Sequence, residues 1–233
     1  METGNQNKPT PLEIAVLIFV FALVLIGYVL LYSNLAFFQN YYIIEDGIVE
    51  WITVIGLLLG SVLCFYRVIN LRKQKNGWLL IFTLVFGILL FFVAGEEISW
   101  GQRLFGIETP EYFEKNNLQK ETNFHNLVVN GVRINRIIFS FFLIAALAIY
   151  LLIIPYLYKR KKWVKNLIDA LGVPLPKGYQ VISFLLLFAL TSFLPNEKRA
   201  ELLECGSVFL VFLIICYPLN SYVFKHSNLD AGA

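Results

Sequence analysis

The sequence predicts an all-α, polytopic membrane protein of about six transmembrane helices with a partly helical outer loop, and three observations carry that expectation. Hydrophobic residues make up 58% of the 233-residue chain and mean hydropathy is +0.68, whereas soluble domains are about half apolar. The apolar residues fall in runs of roughly 17–25, the length that crosses about 30 Å of hydrocarbon as a helix. Strand-like alternation broken by short turns, the mark of an outer-membrane barrel, is missing. The chain reads as a single membrane domain.

Residues 1–10 are polar and contain Pro9, as a terminal tail does. The first span covers about 12–32; its apolar core is too long for a signal peptide and no small-x-small site follows, so it reads as an uncleaved anchor. Glu13 at its start is expected at the interface. Residues 33–46 form an aromatic connection whose Phe37, Phe38, Tyr41 and Tyr42 suit the headgroup zone. The second span, about 47–68, carries Glu50 and Trp51 in its first turn. A basic link with Arg67, Arg72, Lys73 and Lys75 leads to the third span, about 77–94, which stops at Gly95, Glu96 and Glu97.

The outer loop, 95–133, follows. Thr109-Pro110-Glu111 reads as a helix start, with a threonine cap, proline at the first position and an acid at the second. A second helix is expected from near Glu121 into the fourth span, about 134–158. The basic stretch Lys159, Arg160, Lys161, Lys162 and Lys165 comes next, then an interfacial helix over 167–175 ending before Pro174. The fifth span, about 179–194, is short and is stopped by Pro195. The sixth, about 202–224, leads into a polar tail.

Charge gives the orientation. With six spans and the N-terminus inside, twelve Lys and Arg accompany four acids on the cytoplasmic side, while seven accompany twelve acids on the other. Every loop obeys the positive-inside rule, so the expectation is a multi-pass protein of the cell (inner) membrane with both termini cytoplasmic. The partners this implies are membrane lipids. Nucleic acid is excluded, because there is no glycine-rich phosphate loop and basic runs occur only beside spans. Cys64, Cys205 and Cys216 lie in apolar runs without CxxC spacing and read as buried free thiols.

The polar chemistry concentrates in 95–126, which holds six of the sixteen acids and one of the two histidines. Adjacent helical residues point about 100° apart, so only one of Glu96 and Glu97 can face a given seam between helices. A carboxylate at membrane depth needs a partner or a wet cavity; the plainer reading is a solvated span end with a salt bridge to Arg103. Glu121 and His125 are spaced i, i+4, so on a helix the carboxylate could orient the imidazole, or both could bind one metal. The plainer reading there is a local hydrogen bond. Glu197, Glu201 and Glu204 recur at helical spacing and face either the same cavity or solvent at a helix start. Glu50 stands one turn into its span. The catalytic candidates are therefore Glu96, Glu97, Glu121, His125 and Arg103. The metal-ligating candidates are Glu97, Glu121, His125, Glu201 and Glu204, a donor set that suits a divalent metal such as Mg, Mn or Fe. No mid-span lysine, arginine ladder, GxSxG or HExxH is present.

The Glu96-Glu97 doublet resembles that of the CAAX-processing, or Abi-type, intramembrane proteases. The similarity stops at the doublet: Arg103 falls six residues after Glu97, and His226 sits in the C-terminal tail rather than in a span. The wider block, EEISWGQRLFG with NFHN downstream, resembles one found in bacterial multi-pass membrane proteins of unassigned function. It covers about a third of the chain and implies no activity.

Three functions are consistent with these residues. One is a membrane-embedded enzyme, metal-dependent or not, acting on a lipid, lipid-linked or peptide substrate at the outer face. In it Glu97 or Glu96 is general base or ligand, His125 is acid/base or ligand held by Glu121, and Arg103 binds an anionic substrate group. The second is a cation transporter or channel using the carboxylates. The third is a membrane scaffold or assembly factor that uses the outer loop as its contact surface.

Overall fold

The computed structural model describes residues 8–124, 126–129, 131–133 and 143–225, with the side chains of 132, 133, 143 and 144 excepted. Within them the chain is all-α apart from one short hairpin. Three helices are long and apolar enough to cross a membrane: α1 (Pro11–Ser33), α3 (Ile48–Leu71) and α4 (Gly77–Glu97). At 1.5 Å per residue they run about 35, 36 and 32 Å.

Each start has a physical cause. Thr10 caps α1, accepting from the Glu13 amide, while Glu13 accepts from the Thr10 amide at 2.8 Å, which makes a capping box before a proline at the first helical position. Asn76 caps α4 by accepting from the Leu79 amide at 2.8 Å. Between α1 and α3 the short α2 (Leu35–Phe37) continues into a π-helical turn, Phe38–Tyr42. That turn sends alternate aromatics opposite ways. Phe37 and Tyr41 are exposed, as a headgroup-zone role requires, but Phe38 and Tyr42 are buried in the core. The Tyr42 hydroxyl donates to the Leu23 carbonyl at 2.6 Å, so its polar tip needs no water.

The remaining expected spans differ from that pattern. The fourth, 134–158, is described only from residue 143, as α7 (Leu143–Ala148), a π turn (Ile149–Ile153) and α8 (Ile154–Arg160). Pro155 supplies the reason for the π turn, because it has no N–H and its ring crowds the carbonyl four residues back. The fifth is α10 (Gly178–Ser192), an apolar helix of 15 residues and about 22 Å. The sixth is α11 (Arg199–Cys216), which begins earlier than expected and carries Arg199, Glu201 and Glu204 in its first six residues. It ends before Pro218, and a 3₁₀ turn (Ser221–Phe224) follows. The described residues thus hold three membrane-length apolar helices where six were expected: the first part of the fourth span lies outside them, α10 is short, and α11 carries three charges near its start.

Two further expectations shift. The interfacial helix is α9 (Lys162–Leu171), and it is stopped by Gly172 in the left-handed region rather than by Pro174. Among the described residues no helix starts near Glu121. Residues 117–124 and 126–129 instead form turns, an Asn117–Leu127 bridge and β1 (Val128–Val129), which pairs antiparallel with β2 (Val132–Arg133). Asn117 and Asn123 explain this: their side chains take up backbone groups locally and compete with helix formation.

The main core is built by α1, α10 and α11 with the aromatic turn after α2, centred on Val20, Phe38, Leu187, Leu202, Leu210 and Ile214. A second cluster, Val54, Leu57 and Ala94, joins α3 to α4. The three cysteines are free, with Cys64 and Cys205 buried. Glu13, expected at the interface, is fully buried. It accepts from Lys177 Nζ at 3.1 Å and from the Tyr179 hydroxyl, which ties the start of α1 to the start of α10.

Candidate functional site

The end of α4 is where the polar residues converge. After Glu97 the backbone reverses through three successive residues with positive φ: Ser99 at 47°, Trp100 at 55° and Gly101 at 76°. Only glycine adopts that region without penalty, so Ser99 and Trp100 store roughly 1–3 kcal/mol each. Their side chains show what holds them there. Trp100 Nε1 donates to Glu96 Oε1 at 2.8 Å, and its indole folds back over Gly95, where any Cβ would lie 2.8 Å from ring carbons. The Ser99 hydroxyl is buried, donates to Glu121 Oε2 at 2.5 Å and accepts from Asn123 Nδ2 at 2.9 Å.

The reversal fastens the rest of the loop. Glu96 Oε2 accepts from the Phe124 amide at 2.5 Å, so both oxygens of this buried carboxylate are engaged. Gln102 accepts from the Thr122 amide at 2.6 Å and donates to the Thr109 hydroxyl, which donates in turn to the Lys120 carbonyl at 2.6 Å. Thr109 is therefore occupied, and the helix expected after it begins one residue later as α6 (Glu111–Asn116), with Pro110 at its cap and no side-chain capping bond.

Arg103, in α5 (Gln102–Phe105), is the hub of the charged groups. Its guanidinium lies 2.7 Å from Asp46, 3.5 Å from Glu50 and 2.9 Å from Glu121. It thus pins the loop to the start of α3, which Glu50 reinforces by accepting from the Asp46 amide at 2.8 Å. Arg103 Nε is buried without a partner. Three carboxylates already compensate this one cation.

Glu97 has a different set of neighbours. Glu204 and Glu201 of α11 and Glu50 of α3 all act on it electrostatically, Glu204 most strongly. The two residues of the doublet therefore face different ways: Glu96 faces the loop and Glu97 faces the seam of α3, α4 and α11. Glu197 lies beside a surface depression with Asn196 and Lys198. Among the described residues no group of three or more His, Cys, Asp or Glu is arranged to hold a metal ion. His125 lies outside the described residues, so its pairing with Glu121 does too; the helix that would have paired them is not formed at Glu121.

Sequence reasoning missed Asp46 as the closest partner of Arg103, and it missed the structural tasks of Ser99, Asn117 and Asn123. Gly101 was the one visible sign of the reversal. Also missed was the second buried polar group, Glu13 with Lys177, Tyr179 and Gln180. Its signal was a lysine and a glutamine flanking the start of an apolar run.

An open groove of about 680 Å³ adjoins this site. Phe37, Tyr41, Ile48, Trp51 and Ile55 line it, and Glu45 and Asp46 add acids at one end. No family model, curated protein or solved structure matches the chain.

Proposed function

We propose that the chain is a six-span protein of the cell membrane with both termini in the cytoplasm, and that it is an enzyme working at the outer face. Glu97 and Glu204 are its acid–base pair, and its substrate is a lipid, a lipid-linked intermediate or a peptide. The observation that carries this reading is the convergence of Glu97, Glu204, Glu201 and Glu50 where α4, α11 and α3 meet. Where carboxyls are packed together, like charge favours one member holding a proton while a neighbour accepts, the division of labour that paired carboxyls use in acid–base catalysis. Glu50 and Glu201 flank the pair. Glu96, Arg103, Glu121 and Ser99 act as positioning residues that hold the loop over it, and the groove beside Asp46 offers an apolar approach from the membrane. His125 follows Phe124, whose amide Glu96 clasps, and it stays a candidate proton carrier on sequence grounds.

The test compares lipid and peptide extracts by mass spectrometry from cells overproducing the wild type, Glu97→Gln or Glu204→Gln at equal abundance. A species formed or consumed by the wild type should change at least about 100-fold less with either variant, since loss of a general acid or base costs about 10²–10⁴-fold. Variants that retain the wild-type change overturn the assignment. The gathering of Glu97, Glu204, Glu50 and Glu201 at one seam also favours a second reading, a cation pathway through the same acids. Proteoliposomes that show no cation flux under any imposed gradient remove that reading.

A further inference from the structure

At the end of the molecule away from the Glu97 site, the basic stretch and α9 form a surface the proposed chemistry does not use. Lys159, Arg160, Lys161, Lys162 and Lys165 are all exposed, and among the described residues none of the five forms an ion pair. Two of them lie over aromatic rings. Arg160 lies 5.1 Å over the Tyr156 ring, and Lys165 lies 6.0 and 5.7 Å from the rings of Tyr158 and Tyr222. The single acid of α9, Asp169, is half-buried and engaged by other groups: it accepts from Tyr158 at 2.8 Å, from Asn220 at 3.3 Å and from Tyr222. It leaves the cations uncompensated.

The helix is also divided lengthwise. Val164 and Ile168 are buried with Leu175, Ile154 and Leu157. On the neighbouring strip Trp163 is 67% exposed and Leu167 is 48% exposed. At 100° per residue Lys162, Lys165 and Asn166 fall on the opposite arc. One edge of α9 is thus apolar and unpartnered, with a tryptophan on it, and cations lie along the other. A helix lying in the plane of a membrane surface has this distribution: the apolar edge enters the acyl boundary and the cations stay at headgroup level.

We propose that α9 and the basic stretch before it form a docking surface for anionic phospholipids of the adjacent leaflet. Charge complementarity selects the headgroup: an unpaired cation near an anionic surface favours binding by about 1 kcal/mol, and five lie within seven residues. The competing explanation is that the lysines only orient the chain during insertion, which requires no preference among lipids in the finished protein.

The experiment uses the full-length protein in uncharged detergent, offered equal phosphatidylglycerol and phosphatidylcholine, with retained lipid counted by native mass spectrometry. The wild type should retain about tenfold or more phosphatidylglycerol over phosphatidylcholine. The triple variant Lys161→Gln, Lys162→Gln, Lys165→Gln should fall below about twofold, while Lys115→Gln, in α6 of the outer loop, should behave as wild type. If the triple variant fails to accumulate, the wild type at about 1 M salt, where the screening length is about 3 Å, should lose the preference by itself. Equal retention of the two lipids by the wild type overturns the proposal, as does a preference that survives both the variant and the salt.

Discussion

Glu96 and Glu97 are identical side chains one residue apart, yet the fold gives them opposite tasks. Glu96 accepts from Trp100 and from the Phe124 amide, so it fastens the loop to α4. Removing its charge weakens two hydrogen bonds, and Glu96→Gln should cost about 1–3 kcal/mol. Glu97→Gln removes like-charge repulsion with Glu204, Glu50 and Glu201 and should leave stability unchanged or raised. Thermal unfolding of the two variants in detergent checks the contrast, and equal losses would refute it. Arg103→Met should cost more, about 2–3 kcal/mol, because it strands Asp46, Glu50 and Glu121; the figure stays below that of a fully buried pair since the guanidinium is 28% exposed. Arg103→Lys should not restore it, as one ammonium cannot span three carboxylates in the guanidinium's fork geometry. Unfolding midpoints of both variants measure this. The 100° offset between neighbours was legible in the sequence. Which glutamate faces the seam was not, because the deciding partner of Glu96 is a backbone amide 28 residues along the chain.

Among the elements, α1, α3 and α4 were legible because unbroken apolar runs leave a helix as the only way to satisfy the backbone in hydrocarbon. The loop after α4 was not. Its course depends on Asn117 and Asn123 bonding to backbone groups and on three non-glycine residues, Ser99, Trp100 and Lys120, held at positive φ, neither of which periodicity can register. The expectation of a helix at Glu121 failed for that reason. The reversal at Ser99–Gly101 also rests on the missing side chain of Gly95. Gly95→Val should push the Trp100 indole aside, break its bond to Glu96 and free the loop. The expected outcome is faster tryptic cleavage at Lys115 and Lys120 in folded protein, with a red-shifted tryptophan emission. An unchanged cleavage rate would show that the loop is held by other contacts.

For the whole molecule, the proposed orientation rests on the count of Lys and Arg on alternate loops, an argument that needs no geometry. The lateral packing was not legible in the sequence: nothing in the apolar runs shows that α11 stands against both α1 and α3. The proposed orientation can be tested directly. In a background with Cys64, Cys205 and Cys216 replaced by alanine, a membrane-impermeant maleimide applied to intact cells should label Lys115→Cys and spare Lys161→Cys. The reverse pattern would invert the site's proposed location.

The clasp between Glu13 and Lys177 has a consequence in time. The two residues are 164 positions apart, and at a synthesis rate of about 5–20 residues per second the first is made roughly 8–33 s before its partner exists. Throughout that interval α1 carries a carboxylate with no ammonium to meet it. The finished burial of Glu13 is therefore among the last steps of assembly. A chain carrying Lys177→Gln would stay at that unfinished stage and should turn over faster in a pulse-chase than one carrying the exposed substitution Lys115→Gln.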